Sequence, residues 1–115
     1  MASEIDSNRI ITSLKEWASE SEQARLWLST GKNGAEVSSF VEAQEQLFTD
    51  TGLGDELEKR RPVFSDAIDD QLRFFSDMLS NIDSNRTPLE IIHDDRMSEV
   101  RAAAQRLLTL IEGSI

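Results

Sequence analysis

The stretch Thr87-Pro88-Leu89-Glu90, continuing as IIHDDRMSEVRAAAQRLLTLIEG to residue 113, decides the fold class. Thr87 suits a helix N-cap, Pro88 the first helical position, and Glu90, three residues after the threonine, completes a capping box. Leu89, Ile92, Val100, Ala103, Ala104, Leu107, Leu110 and Ile111 then recur at helical spacing, and Gly113 is placed to close the helix. Glu90 near its start and Arg101 and Arg106 in its later half complement the helix dipole.

Working backwards, three more helical stretches separate at glycine- or turn-rich breaks, with no strand-like alternation between them. The first covers Asp6 to Thr30, with Ile10, Ile11, Leu14, Trp17, Ala18, Ser21, Ala24 and Leu28 on one face and Gly31 as a left-handed terminator. Ser19 and Glu22 have capping-box spacing inside it, yet the stretch is read as one helix. The second, after Gly31-Lys32-Asn33-Gly34, places Val37, Phe40, Val41, Gln44, Leu47 and Phe48 on a buried face and ends at Gly52 and Gly54. The third starts with Asp55 as N-cap and carries Leu57, Phe64, Ile68, Leu72, Phe75, Leu79 and Ile82 in a seven-residue rhythm. That rhythm runs through Pro62, where a helix is expected to kink.

These stretches predict an all-α fold: one domain over residues 1–115, an antiparallel up-down-up-down four-helix bundle whose long third helix is kinked near Pro62. A second helix of roughly eighteen residues spans about 27 Å and a third of roughly twenty-eight about 42 Å. Part of the third helix then lacks a cover within one copy, which suggests a homodimer or another protein partner unless the kink folds the excess back. The pentapeptide Ile5-Asp6-Ser7-Asn8-Arg9 recurs as Ile82-Asp83-Ser84-Asn85-Arg86, but the residues after the two copies do not match, so it reads as reuse of turn and cap residues or chance.

Charge narrows the function classes. Twenty-two acidic residues face twelve basic ones in 115 residues, a formal net charge of −10. Such a chain repels phosphate backbones and anionic headgroups, and Lys59-Arg60-Arg61 is too short a basic patch to reverse that, so neither direct nucleic-acid nor membrane binding is expected. An N-terminus without a positive segment or apolar run, and the absence of any long apolar stretch, argue against export and membrane insertion. The lack of cysteine removes disulfides and thiol chemistry and suits a cytoplasmic setting.

Catalytic templates find little. Glu90 and His93 have the Glu-x-x-His spacing of di-iron and di-manganese bundles, but with one histidine the set is completed only in a symmetric dimer, with acids such as Glu42 or Glu45 as further ligands. A structural, half-buried neutral histidine at the end of the bundle is the preferred reading. Phosphate-loop, calcium-loop and serine-nucleophile patterns all fail on residue identity. No catalytic, cofactor or metal site is therefore expected.

Two surfaces remain. Leu26, Trp27 and Leu28 are consecutive, so one helix cannot bury all three; Trp27 is read first as a core plug and second as an interface residue. With Leu26, Val63 and Phe74 it makes up the candidate interface. Asp66, Asp69, Asp70 and Asp77 around Arg73 form either a solvated face or an acidic docking face for a basic partner. In size, charge and helical character the chain is similar to small acidic immunity and inhibitor proteins, none of whose diagnostic motifs it carries. The sequence thus points to a non-enzymatic helical protein acting through protein–protein contact, self-associating first. An acidic inhibitor or immunity-type protein that neutralises a basic enzyme or nucleic-acid-binding protein is second, and a dimeric metal enzyme using Glu90 and His93 third.

Overall fold

The computed structural model describes residues 7–32, 37–59 and 62–114, and every described element is helical. The Asn33–Gly34 break, Glu36, the arginines of the basic patch and the first copy of the pentapeptide up to Asp6 lie outside the described residues. In chain order the elements are α1 (Ser7–Ala18), α2 (Glu20–Trp27), α3 (Phe40–Gln44) continued by a π-helical turn (Glu45–Thr49), α4 (Leu53–Leu57), α5 (Asp66–Ser80), α6 (Pro88–Ile92) and α7 (Asp95–Ser114).

The second expected stretch is continuous from Phe40 to Thr49, whereas the other three are divided, each with a local cause. Ser19 is extended (φ −122°, ψ 117°) and its hydroxyl accepts the Glu22 N–H at 3.2 Å, ending α1 and starting α2 where a single helix was expected. The kinked long third helix is likewise corrected. Gly52, in the left-handed region at φ 76°, precedes α4, so Asp55 lies within the first turn and is not the N-cap. The helix stops at Leu57, Pro62 lies beyond its end, and α5 restarts at Ser65, whose hydroxyl accepts the Ile68 N–H. The Thr87 capping box is present in full, but α6 ends at Ile92 with His93 as its C-cap; the Asp94 carboxylate then accepts the Arg96 N–H at 2.8 Å in the first turn of α7. Gly113 lies inside α7 and does not close it.

The α7 helix, about 30 Å long at 1.5 Å per residue, packs most extensively on α1 and next on α5, while α2 rests on α6. Val100, Ala103, Ala104, Leu107 and Ile111 of α7 meet Ile10, Leu14 and Trp17 of α1 and Ile68, Leu72, Phe75 and Leu79 of α5 in one core. Trp17 is its aromatic centre, edge-on to Trp27, Phe40 and Phe75 at centroid distances of 5.6, 5.4 and 5.9 Å. Edge-to-face geometry of this kind adds about 0.5–1.5 kcal/mol per pair beyond burial.

A buried polar joint locks the α1–α2 break to the rest of the core. Gln23 is fully buried; its amide donates to the carbonyls of Trp17 (2.8 Å) and Glu16 (3.2 Å), and its Oε1 accepts from Arg101 Nε at 2.9 Å. Arg101 Nη2 also donates to the Ile92 carbonyl at 2.6 Å, and so serves the end of α6. Burial pushes the Arg101 guanidinium below its ordinary value, with Glu20 opposing the shift. The second pentapeptide copy is a loop, Asp83 Oδ1 accepting the Asn85 N–H, whereas Ser7, Asn8 and Arg9 of the first are helical. The shared residues therefore carry no shared structure.

Candidate functional site

Among the described residues an open groove of about 880 Å³ lies between α5 and the wall formed by α3, the π-helical turn and α4. Its apolar part comes from Val41, Phe48 and Leu57. Val41 is 48% exposed, Phe48 is half-buried and Leu57 is buried, so the apolar surface runs from the core out to solvent. Among the described residues four carboxylates, Glu45, Asp55, Glu58 and Asp77, also line it, all exposed, against one base, Arg73.

Local chemistry holds the two walls in place. The π turn is marked by the Asp50 N–H bonding the Glu45 carbonyl five residues back, at 2.8 Å, and Thr51 Oγ1 donates to the Leu47 carbonyl while accepting the Leu53 N–H. A single π turn in an α-helix is often found where function is. Gly54 allows α4 to approach this turn closely: a Cβ there would lie 3.2 Å from the Phe48 carbonyl oxygen. Arg73 of α5 donates to the Leu57 carbonyl from Nε (3.2 Å) and Nη2 (2.8 Å), binding the end of α4 to α5, and pairs with Asp70 through Nη1 at 2.8 Å. Its donors therefore face the protein's own groups.

The four aspartates expected on one acidic face differ in exposure. Asp66, Asp70 and Asp77 are exposed on α5, but Asp69 is 1% exposed and does not belong to a docking face. Its two carboxylate oxygens accept the N–H groups of Val63 (2.7 Å) and Phe64 (3.1 Å), pinning the segment between α4 and α5. Glu16 is also internal: its Oε2 accepts the Trp27 indole N–H at 2.7 Å.

The expected apolar interface is largely consumed within the chain. Trp27 is 3% exposed and Leu26 is buried as well, so both belong to the core and offer no surface to a partner; Leu28 is the exposed member of the triplet. Val63 is half-buried, and Phe74 is 60% exposed. Val41 was missed. The expected amphipathic face placed it inward beside Val37, yet both valines are exposed and Ala43 is buried instead.

Glu90 lies in the first turn of the short helix α6 and His93 just past its end. Glu90 Oε1 is held by the Thr87 N–H (3.1 Å) and hydroxyl (2.9 Å), which keep its carboxyl below the usual range. His93 is the C-cap of α6 and is exposed, not half-buried. Nearby, the Arg96 backbone N–H and then the Arg86 guanidinium, 2.8 Å away, lower Asp94. Among the described residues no three His, Asp or Glu side chains are grouped as a metal ion requires. Among them, too, no helix is long and apolar enough to cross a membrane. No protein-family model matches the chain, and no characterised protein or solved structure shows significant similarity to it.

Proposed function

We propose that this chain is a non-enzymatic interaction protein whose partner is a basic protein, in a cytoplasmic setting. The carrying observation is the groove rim, where, among the described residues, four exposed carboxylates face one arginine whose donors are already engaged. An electronegative surface of this kind accelerates encounter with a cationic partner and selects it over neutral ones. The absence of cysteine supports the setting, and the engagement of Glu90 in a cap supports a non-catalytic role. The bundle assumed here has α7 flanked by α1 and α5, with the α3–α4 segment as fourth member, a reading supported by packing of the π turn on α1.

Titration calorimetry with a lysine-rich peptide at low and physiological ionic strength tests this. Binding that weakens as salt rises is expected; no heat at low salt refutes it. Self-association is the second reading, favoured by the exposure of Phe74. Light scattering after size exclusion decides it: a dimer that Phe74→Ser disperses supports it, and a monomer at all concentrations removes it.

A further inference from the structure

We infer that the groove between α5 and the α3–α4 wall is the docking site for one amphipathic helix of the partner, apolar on one stripe and lysine- or arginine-rich beside it. This deepens the basic-partner reading and rests on it. The stripe is called for by Val41 and Phe48, apolar side chains open to solvent above buried Leu57. A helix inserted into such a groove anchors residues at i, i+3 or i+4 and i+7 on the apolar floor. The flanking cations are called for by Glu45, Asp55, Glu58 and Asp77, whose exposed carboxylates border that floor. At about 880 Å³ the groove lies within the usual range of about 300–1,000 Å³ for binding pockets, enough for several anchoring side chains of one helix. A second copy is the wrong occupant, since it carries a net charge of −10 to an already negative rim.

Two synthetic peptides of identical lysine and leucine composition separate the possibilities, one with leucines at i, i+3, i+4 and i+7 and one scrambled. Fluorescence anisotropy is expected to show the striped peptide binding about tenfold more tightly. Val41→Asp should weaken the striped peptide by about tenfold even though it adds a negative charge, a direction opposite to that of pure electrostatic attraction. Val41→Ser, checked by circular dichroism alongside, gives the same loss without any change in charge. Glu45→Lys with Asp77→Lys should weaken it far more than Glu99→Lys with Glu112→Lys, an equal charge reversal on exposed positions of α7. Equal binding of both peptides, with equal effects of the two double reversals, overturns the groove while leaving the basic-partner reading intact. No binding of either peptide at low salt overturns both. A dimer of the free protein that Val41→Asp disperses assigns the groove to a second copy and overturns the proposed occupant.

Discussion

Replacing Asp69 by alanine is expected to destabilise the protein by about 2–4 kcal/mol, although the residue sits in a series of aspartates that looks like a solvated helix face. Its carboxylate is buried and accepts two backbone N–H groups, from Val63 and Phe64. Hydrogen bonds to a charged acceptor contribute about 1.5–3 kcal/mol each, and a buried donor left without a partner costs about 1–3 kcal/mol. Both N–H groups are partly buried, so water recovers some of that loss; removing a buried charge recovers more, which places the net effect below the simple sum. Total stability for 115 residues is about 6–17 kcal/mol, so the loss is a large fraction of it. Urea denaturation should show the midpoint falling with little change in slope. Asp66→Ala is the control: exposed in the first turn of the same helix, it should cost about 0.3–1 kcal/mol through the helix dipole. Equal effects of the two substitutions would refute the assignment of Asp69 to the interior. Asp69→Asn should recover only part of the loss, because its amide nitrogen cannot accept the second N–H.

Trp27→Ala should cost about 3–5 kcal/mol with no change in solution mass, as expected of a large core side chain; a dispersed oligomer with an unchanged melting temperature would return Trp27 to an interface. Thr87→Ala should lose about 1 kcal/mol by removing the capping box of α6, and a superimposable melting curve would contradict that boundary. Acid sensitivity has a defined sign. Asp94 and Glu90 both have folded values below the ordinary 3.8 and 4.5, so their stabilisation is complete above those values and is lost as pH falls through the depressed ones. Asp94→Asn should therefore flatten the acid limb of the stability profile, and identical limbs for the variant and the parent would count against the Arg96 and Arg86 contacts as its cause.

The helical class, the Thr87 boundary and the inner face of α5 were legible because there the period runs unbroken from its cap, whereas in the last stretch, broken after His93, Leu89 and Leu110 of the expected face are exposed and Met97 and Leu108 are buried instead. Ile68, Leu72, Phe75 and Leu79 are all buried, as the stripe requires. Elsewhere a small interruption re-phased the helix. The stripe of Ile10, Leu14 and Trp17 extrapolates to Ser21, Ala24 and Leu28, but after the extended Ser19 the buried positions are Gln23, Leu26 and Trp27. At about 100° per residue, one residue outside the helix rotates everything beyond it, which is why a tryptophan that seemed off the stripe became core. The Ser19–Glu22 spacing signalled this break, and a continuous apolar pattern outweighed it. No comparable sequence signal marked the π turn, which depends on how Thr51 and the left-handed Gly52 close the following loop. Asp69 was misjudged for another reason: a carboxylate is placed inside only when donors from elsewhere meet it, as the Trp27 indole meets Glu16, and sequence spacing does not reveal the Val63 and Phe64 amides.

The groove exists because the third stretch is broken rather than kinked. In one continuous helix, Leu57 and Arg73 would be sixteen residues and about 24 Å apart, and α4 would merely extend α5. Here Arg73 Nη2 reaches the Leu57 carbonyl at 2.8 Å, so α4 has folded back beside α5, with Pro62 in the connection and Asp69 holding the Val63 and Phe64 amides. The fold-back removes the excess length that had suggested an uncovered stripe and a self-associating chain. It replaces that stripe with a smaller apolar floor, edged by the carboxylates of α4 and α5 and of the π turn between them and α3. The same interruption thus weakens the argument from an uncovered stripe for a second copy, and it forms the groove proposed above for a cationic helix.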